Sequence, residues 1–403
     1  MKLFLNKAII PALYLLAISP LFYYKHAIPT IIIVIAGVLL FWQVPYKQLS
    51  LNKKAIPFIA CFSILTFYFL FYFHNKSLKH IGDSFIIFIL PLAGIYLSLL
   101  DSFKVHRPKI MLAYCVVLGI LCGFFICSYI ADIPLHSFDW YLARYNLELK
   151  YKIHGTYICL WIAVAILFLT HYAYTEKIKS SMARAGIAVL YLLYFAGLII
   201  YNSRNIMIGL IIIAAINTFR LRKKIPFYIK MAGLAMVVVV FFLSQRYLSD
   251  IKALVNSSVK NSTRYTIVNC SYTVISDSHF MGTDYSLIQD KLNQCYSESD
   301  NPEFKTSELN SHNQYLDYFM KGGILLFIAF IALMVLKIWE ALRQKEYLYL
   351  ALTVLFVLSF ITENVLIRQY GIFIYAFCDI LFLGNILLPL GNKAHAKDKI
   401  IEG

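Results

Sequence analysis

Long apolar runs alternate along this chain with short, mostly basic interruptions, and that rhythm is slow. A bilayer hydrocarbon core of ~30 Å takes about 20 residues of helix to cross. Runs of roughly that length fall at about 8–24, 28–44, 55–73, 81–100, 110–130, 154–175, 185–201, 203–219, 226–245, 318–339, 347–363 and 369–390. The pattern predicts an all-α polytopic membrane protein of about 12 transmembrane helices. Two polar intervals are too long for turns, one at about 131–153 and a larger one at 246–317. They divide the chain into nine spans over 1–245, the large loop over 246–317, and three spans with a tail over 318–403.

Composition agrees. Sixty per cent of the 403 residues are apolar and 14% are charged, with a mean hydropathy of +0.70. Soluble domains carry about a quarter charged residues. The net charge of +16 does not point to nucleic acid, because the lysines and arginines sit in small clusters between apolar runs, as in cytoplasmic loops of membrane proteins. With a cytoplasmic amino terminus, the inner segments hold most of the 37 basic residues, Lys104, Arg107, Arg222, Lys223, Lys337 and Arg343 among them. The short outer loops hold only Lys25, Lys76, Lys79, Arg204 and Arg368. Both termini are then expected inside and both long loops outside. The first run lacks a small-residue cleavage site before the next and is expected to stay as an anchor.

Six of the eight cysteines lie in apolar runs, where thiols pack as small hydrophobes. Cys270 and Cys295 alone share the large loop, and pair there if the loop faces an oxidising compartment and their Cα atoms come close enough.

A few polar residues stand out at span ends. Arg204, in Tyr201-Asn202-Ser203-Arg204-Asn205, lies between two apolar runs. It either reaches lipid phosphates from a helix end or faces an anionic substrate with its planar fork. Arg264 opens a segment in which Tyr265, Val268, Tyr272 and Ile275 are spaced as on one helix face, the pattern of an amphipathic helix lying on a membrane. His312 precedes the tenth span, where an imidazole serves as a capping residue or as a general base near neutral pH. His154 and Tyr157 open the sixth span in the same manner and read as structural or substrate-contacting. Glu363 and Arg368 bracket the last outer turn, paired with each other or facing a site. Arg144, Lys150 and Lys152 add positive charge in the smaller outer loop. No GxSxG, Walker A, HExxH or CxxC motif occurs, and the outer loops have no paired acidic motif to cradle a divalent metal.

Taken together, Ser311-His312-Asn313-Gln314-Tyr315-Leu316 followed by Lys321-Gly322-Gly323-Ile324 resembles the loop-end histidine pattern of the O-antigen ligase and O-antigen polymerase superfamily of bacterial envelope glycosyltransferases. Arg204 ahead of Ile206-Met207-Ile208-Gly209, and Arg264 followed by Asp277 to Gly282, are similar to the family's two arginine motifs. His154-Gly155-Thr156-Tyr157 is similar to a His-Pro-Thr-Tyr stretch of many members, with Gly155 in place of the proline. The resemblance implies a GT-C-like fold in the inner membrane with a periplasmic active site. It implies transfer of a glycan from undecaprenyl diphosphate to a lipid A-core sugar hydroxyl, inverting and without metal or other cofactor. In that scheme Arg204 and Arg264 bind the diphosphate and His312 is the base, while His154, Tyr157, Asn313, Tyr315, Glu363 and Arg368 are candidate substrate contacts. The partners implied are the polyprenyl-linked donor, a glycolipid acceptor and the bilayer. A polymerase, with a second lipid-linked repeat as acceptor, shares these features. A transporter of lipid-linked glycan is the more distant alternative, disfavoured by the absence of an internal repeat.

Overall fold

A computed structural model describes residues 2–22, 56–71, 100–134, 140–220 apart from Lys177 and Lys179, 263–298 and 309–387, with Ile87, Gly94, Leu97, Ser98 and Phe304. The expected spans at 28–44 and 226–245 lie outside the described residues, as does nearly all of that at 81–100. The described residues form helices and connecting turns, without a strand.

In chain order the helices are α1 (Lys2–Ile18), α2 (Ile56–Phe71), α3 (Asp101–Asp132), α4 (Trp140–Tyr151), α5 (Gly155–Thr175), α6 (Ser181–Tyr201), α7 (Arg204–Arg220), α8 (Thr263–Asp277), α9 (Tyr285–Ser297), α10 (Gln314–Arg343), α11 (Tyr347–Phe360) and α12 (Gln369–Leu387). Five of them, α3, α5, α6, α10 and α12, are long and apolar enough to cross a membrane, and α1, α2, α7 and α11 contribute shorter apolar helices. This is a polytopic membrane protein.

The core is one continuous apolar mass. α5 runs through it, buried from Tyr157 to Leu169 except Ile166, and α12 is buried along nearly its whole length. Large aromatic side chains, among them Trp161, Tyr114, Tyr194, Phe168 and Phe377, interlock α3, α5, α6 and α12. Without water between helices, close packing and internal hydrogen bonds hold such a bundle. Trp161 Nε1 accordingly donates to the Tyr370 carbonyl at 3.1 Å.

Two features depart from the sequence reading. The interval around 131–153 is not a bare loop but holds α4, and α10 is not a simple span. At Gly322 and Gly323 its backbone leaves helical geometry, with Gly323 at φ 60° and ψ −159°. The ring pairs Phe319–Phe327 at 4.8 Å and Tyr318–Phe330 at 4.6 Å straddle this point, so the first arm of α10 folds back against the second. Glycine is needed there because a Cβ on Gly323 would lie 2.4 Å from the Phe280 carbonyl oxygen and because φ is positive.

The large loop has a small core of its own. Ile267, Cys270, Val274 and Ile275 of α8 pack on Ile288, Leu292 and Tyr296 of α9 and on Met320 of α10. Cys270 and Cys295 are joined in a disulfide, with their Cα atoms 5.7 Å apart. Ile275, expected on the exposed face of α8, belongs to this core instead.

A correction concerns Lys337. Its sequence position among inner-loop cations is misleading: it is 1% exposed, inside the bundle, ion-paired with Asp379 of α12. Nζ also donates to the Tyr375 hydroxyl at 2.6 Å, and the Tyr349 hydroxyl donates to the other Asp379 oxygen at 2.7 Å. A charge in a low-dielectric interior is tolerated only when so matched.

Candidate functional site

The polar residues gather where α10 begins, α11 ends and α5 starts. Asn313 caps α10, its side-chain oxygen accepting from the backbone N–H groups of Tyr315 and Leu316 at 2.9 and 3.0 Å. This satisfies two of the donors every helix start leaves open. Its amide nitrogen donates at 2.9 Å to the carbonyl of Ile361, just past α11. Ser311 and Asn364, each 2% exposed, exchange hydrogen bonds of 3.0 and 3.2 Å. Buried Gln314 accepts from the Leu366 backbone N–H at 2.7 Å and donates to Asp317 at 3.3 Å. Asp317 in turn holds Lys321 at 2.6 Å. Ser311, Asn313 and Gln314 are thus tied to the turn at 361–366.

That binding presents His312. Its backbone is left-handed, with φ 43°, a conformation costly for a residue with a Cβ and kept only where surroundings impose it. The Asn310 side chain accepts from the His312 N–H at 2.9 Å. The imidazole is 32% exposed, with Nδ1 3.5 Å from a carboxylate oxygen of Glu363. Glu363, read from the sequence as paired with Arg368 or facing a site, lies against the histidine, and Arg368 is exposed. The opposite ring nitrogen of His312 has no hydrogen-bond partner among the described residues.

Tyr157 reaches the same turn, its hydroxyl donating to the Asn364 carbonyl at 3.4 Å. His154 caps α5 by accepting from Thr156 N–H at 3.4 Å, with its ring edge-on to Tyr157. Gly155 abuts Tyr201: a Cβ there would lie 3.1 Å from the Tyr201 ring and 2.7 Å from Glu148. The junction of α6 and α7 is thereby pressed onto the start of α5, and Arg144 bridges to it by donating to the Tyr201 carbonyl at 3.4 Å.

Arg204 opens α7, half-buried. Gly209 packs against Leu355 and Leu358 of α11, and α7 runs antiparallel to α11. Five residues back along a helix is about 7.5 Å, which sets Arg204 level with the turn following α11. Arg264 is exposed in the first turn of α8, and no hydrogen bond or ion pair among the described residues joins it to Arg204 or His312. Arg204, Arg264 and Arg368 have no acidic partner among the described residues. Tyr315 is committed to packing: its hydroxyl donates to the Val357 carbonyl at 3.1 Å and its ring lies on Phe330 and Phe360.

The structure therefore groups His312, Glu363, Asn313, Tyr157 and His154, puts Arg204 at their height, and leaves Arg264 on a neighbouring helix. Ser311 and Gln314 lie within the histidine motif without having been singled out for a role, and Asn364, their partner in the turn after α11, carries no distinguishing sequence signal.

Such a set can take a proton at one imidazole nitrogen while a carboxylate holds the other, beside cations free to meet an anion. Residues 187–331, from α6 through the bend of α10, match the sequence model of the O-Antigen ligase family. No curated protein matches the chain. The family match bears out the resemblance drawn from Arg204, Arg264 and His312, all of which lie inside the matched stretch.

Proposed function

We propose that this membrane protein, whose residues 187–331 fall within the O-antigen ligase/polymerase superfamily, transfers a glycan from undecaprenyl diphosphate to a sugar hydroxyl of lipid A-core. The observation that carries the proposal is His312, held in a left-handed turn against Glu363 with one ring nitrogen free.

The acceptor hydroxyl attacks the anomeric carbon as its proton passes to His312. The bond from that carbon to the diphosphate oxygen breaks, and polyprenyl diphosphate leaves with the electron pair. A single displacement of this kind inverts the anomeric centre. Glu363 keeps the imidazole oriented and favours the imidazolium that forms, as a buried carboxylate does for a general base. Arg204 and Arg264 take the negative charge that grows on the leaving diphosphate. Their forks match phosphate oxygens two at a time, and fixed cations in a water-poor site need little reorganisation. Tyr157 and His154 line the approach, and Arg368 adds charge at its rim.

Topology supports the reading. The Cys270–Cys295 bond suits an oxidising compartment, which supports a reading with α8, α9 and the site on the periplasmic face of a bacterial inner membrane and both termini in the cytoplasm. Purified protein in detergent is expected to move glycan from a polyprenyl-diphosphate donor to lipid A-core without a gradient, equally well with chelator present. No transfer under those conditions overturns the reading. A deletion strain is expected to accumulate lipid-linked long chains beside bare core. A single repeat left on the core would identify a polymerase instead.

A further inference from the structure

Two of the helices outside the main bundle share an oddity. α4 exposes Leu142, Tyr145 and Leu149, and α8 exposes Tyr265, Val268 and Tyr272. In both, the residues fall at i, i+3 and i+7, one stripe along a helix. Both helices also bury a second face, Ala143 and Leu147 in α4, Ile267, Cys270 and Val274 in α8. A helix that has already packed one apolar face has no folding reason to carry another. Exposed apolar stripes of this kind mark a contact surface.

Depth identifies what covers them. α3 is lined on its exposed side by Val116, Ile120, Phe124 and Ile130, the lipid-facing flank of a span. Tyr151, the last residue of α4, packs its ring on Phe124 at 5.4 Å and on Phe125 at 5.4 Å, and its hydroxyl meets Ser128 at 2.8 Å. Phe124 lies six residues, about 9 Å, inward of Ile130 along α3. The Tyr151 ring therefore reaches below the outermost lipid-facing residue of its neighbour, while Lys150 pairs with Asp132 at the end of α3, and Leu149, 57% exposed, is beside them.

The second arm of α10 likewise shows Ile324, Leu325, Ile328, Val335, Trp339 and Leu342 outward. From Ile324 to Leu342 is about 27 Å of helix, close to the ~30 Å hydrocarbon thickness. The turn after α8 is fastened at the top of this stripe: Ile324 N–H donates to the Phe280 carbonyl at 2.9 Å, and Thr283 N–H to the Met320 carbonyl at 2.7 Å. Phe280 and Met281 are nonetheless 43% and 68% exposed. They continue the lipid-facing stripe onto the loop.

We propose that α4 and the α8–Met281 segment are interfacial helices whose stripes enter the acyl chains of the membrane leaflet on the His312 side. On α4 these are Leu142, Tyr145 and Leu149, and on the α8 segment Tyr265, Val268, Tyr272, Phe280 and Met281. The tyrosines suit this boundary, with apolar rings and a wet hydroxyl. Lys150, paired with Asp132 at 3.5 Å, marks the polar edge of the α4 stripe. A lipid-linked substrate would then meet two helices already seated in its own leaflet. The inference rests on the membrane spans and not on the reaction.

The test uses full-length protein in liposomes of phosphatidylethanolamine and phosphatidylglycerol. Cys127 is replaced by Ser, and a bimane label is attached at Leu149→Cys, Val268→Cys or Met281→Cys in turn. Gln294→Cys, exposed on α9, serves as the aqueous reference. Lipids with nitroxide high on the acyl chain are expected to quench the three stripe labels several-fold more than the Gln294 label, and aqueous iodide to do the reverse. A stripe label quenched by iodide as strongly as the reference overturns the proposal for its helix. A label shielded from both quenchers and cross-linking to a second copy overturns it in favour of a protein partner.

Discussion

Two polar clusters hang on α10, one where the helix begins and one on its second arm, and they differ in closure. Around Lys337 every strong group is answered within the cluster: the ammonium by Asp379 and Tyr375, the carboxylate also by Tyr349. Around His312 the backbone ties are just as complete, but the charged groups are not. Among the described residues one imidazole nitrogen has no partner, the contact to Glu363 is 3.5 Å long, and Arg204 and Arg368 stand without a carboxylate of their own. A closed cluster has no valence left for a ligand and serves to fasten helices. An open cluster is expensive to keep near a membrane unless something else completes it.

Breaking the open cluster should cost chemistry. His312→Ala is expected to reduce glycan transfer by roughly a hundred- to ten-thousandfold, the usual worth of a general base, while melting of the detergent-solubilised protein stays unchanged. A variant that retains full transfer would remove the base from the mechanism. Breaking the closed cluster should cost stability. Lys337→Ala strands the Asp379 carboxylate and is expected to destabilise the protein by about 3–5 kcal/mol. Combining Lys337→Met with Asp379→Leu removes both charges at similar volume and is expected to recover most of that loss. Thermal unfolding followed by fluorescence reads this directly, and transfer per folded molecule should hold in the double variant.

The loop core lies between these extremes. Reducing Cys270–Cys295, which closes a loop of sequence separation 25, is expected to destabilise α8 and α9 by roughly 3 kcal/mol on the loop-entropy estimate. Proteolysis with and without reductant should show cleavage confined to that region, and Tyr296, whose buried hydroxyl has its pKa raised by desolvation, should become solvent-accessible. The smallest effect is expected for Glu363→Gln. Losing one charge-assisted contact of about 1.4 kcal/mol corresponds to about tenfold in rate. It should appear in kcat with KM little changed, because the carboxylate acts through the histidine rather than on substrate.

The five long apolar helices among the described residues were legible in sequence because hydropathy is local: about twenty apolar residues in a row announce themselves. So was the start of α10, through His312 and the run after it. Lys337 was misread because its partner, Asp379, is distant in sequence, and a cation near the end of an apolar run looks like a loop residue until the partner is seen. The bend at Gly322–Gly323 was visible as a pair of glycines, but not the folding back of the chain, which depends on Phe280 and Met281 approaching from another helix. At the site, Arg204, His312 and Glu363 were marked by charge at span ends. Ser311, Gln314 and Asn364 carry common side chains whose role exists only in the contact between two turns. α4 was hidden because a helix of 12 residues with mixed polarity lacks the run length that betrays a span.

Gly282 and Gly323 meet backbone to backbone. A Cβ on the first would stand 2.7 Å from the nitrogen of the second, and both have positive φ, 98° and 60°. The extramembrane helices and the arm that bears the histidine are therefore mortised together rather than hinged. A tilt of α8 is expected to carry the first arm of α10 with it, and with that arm the turn that holds His312.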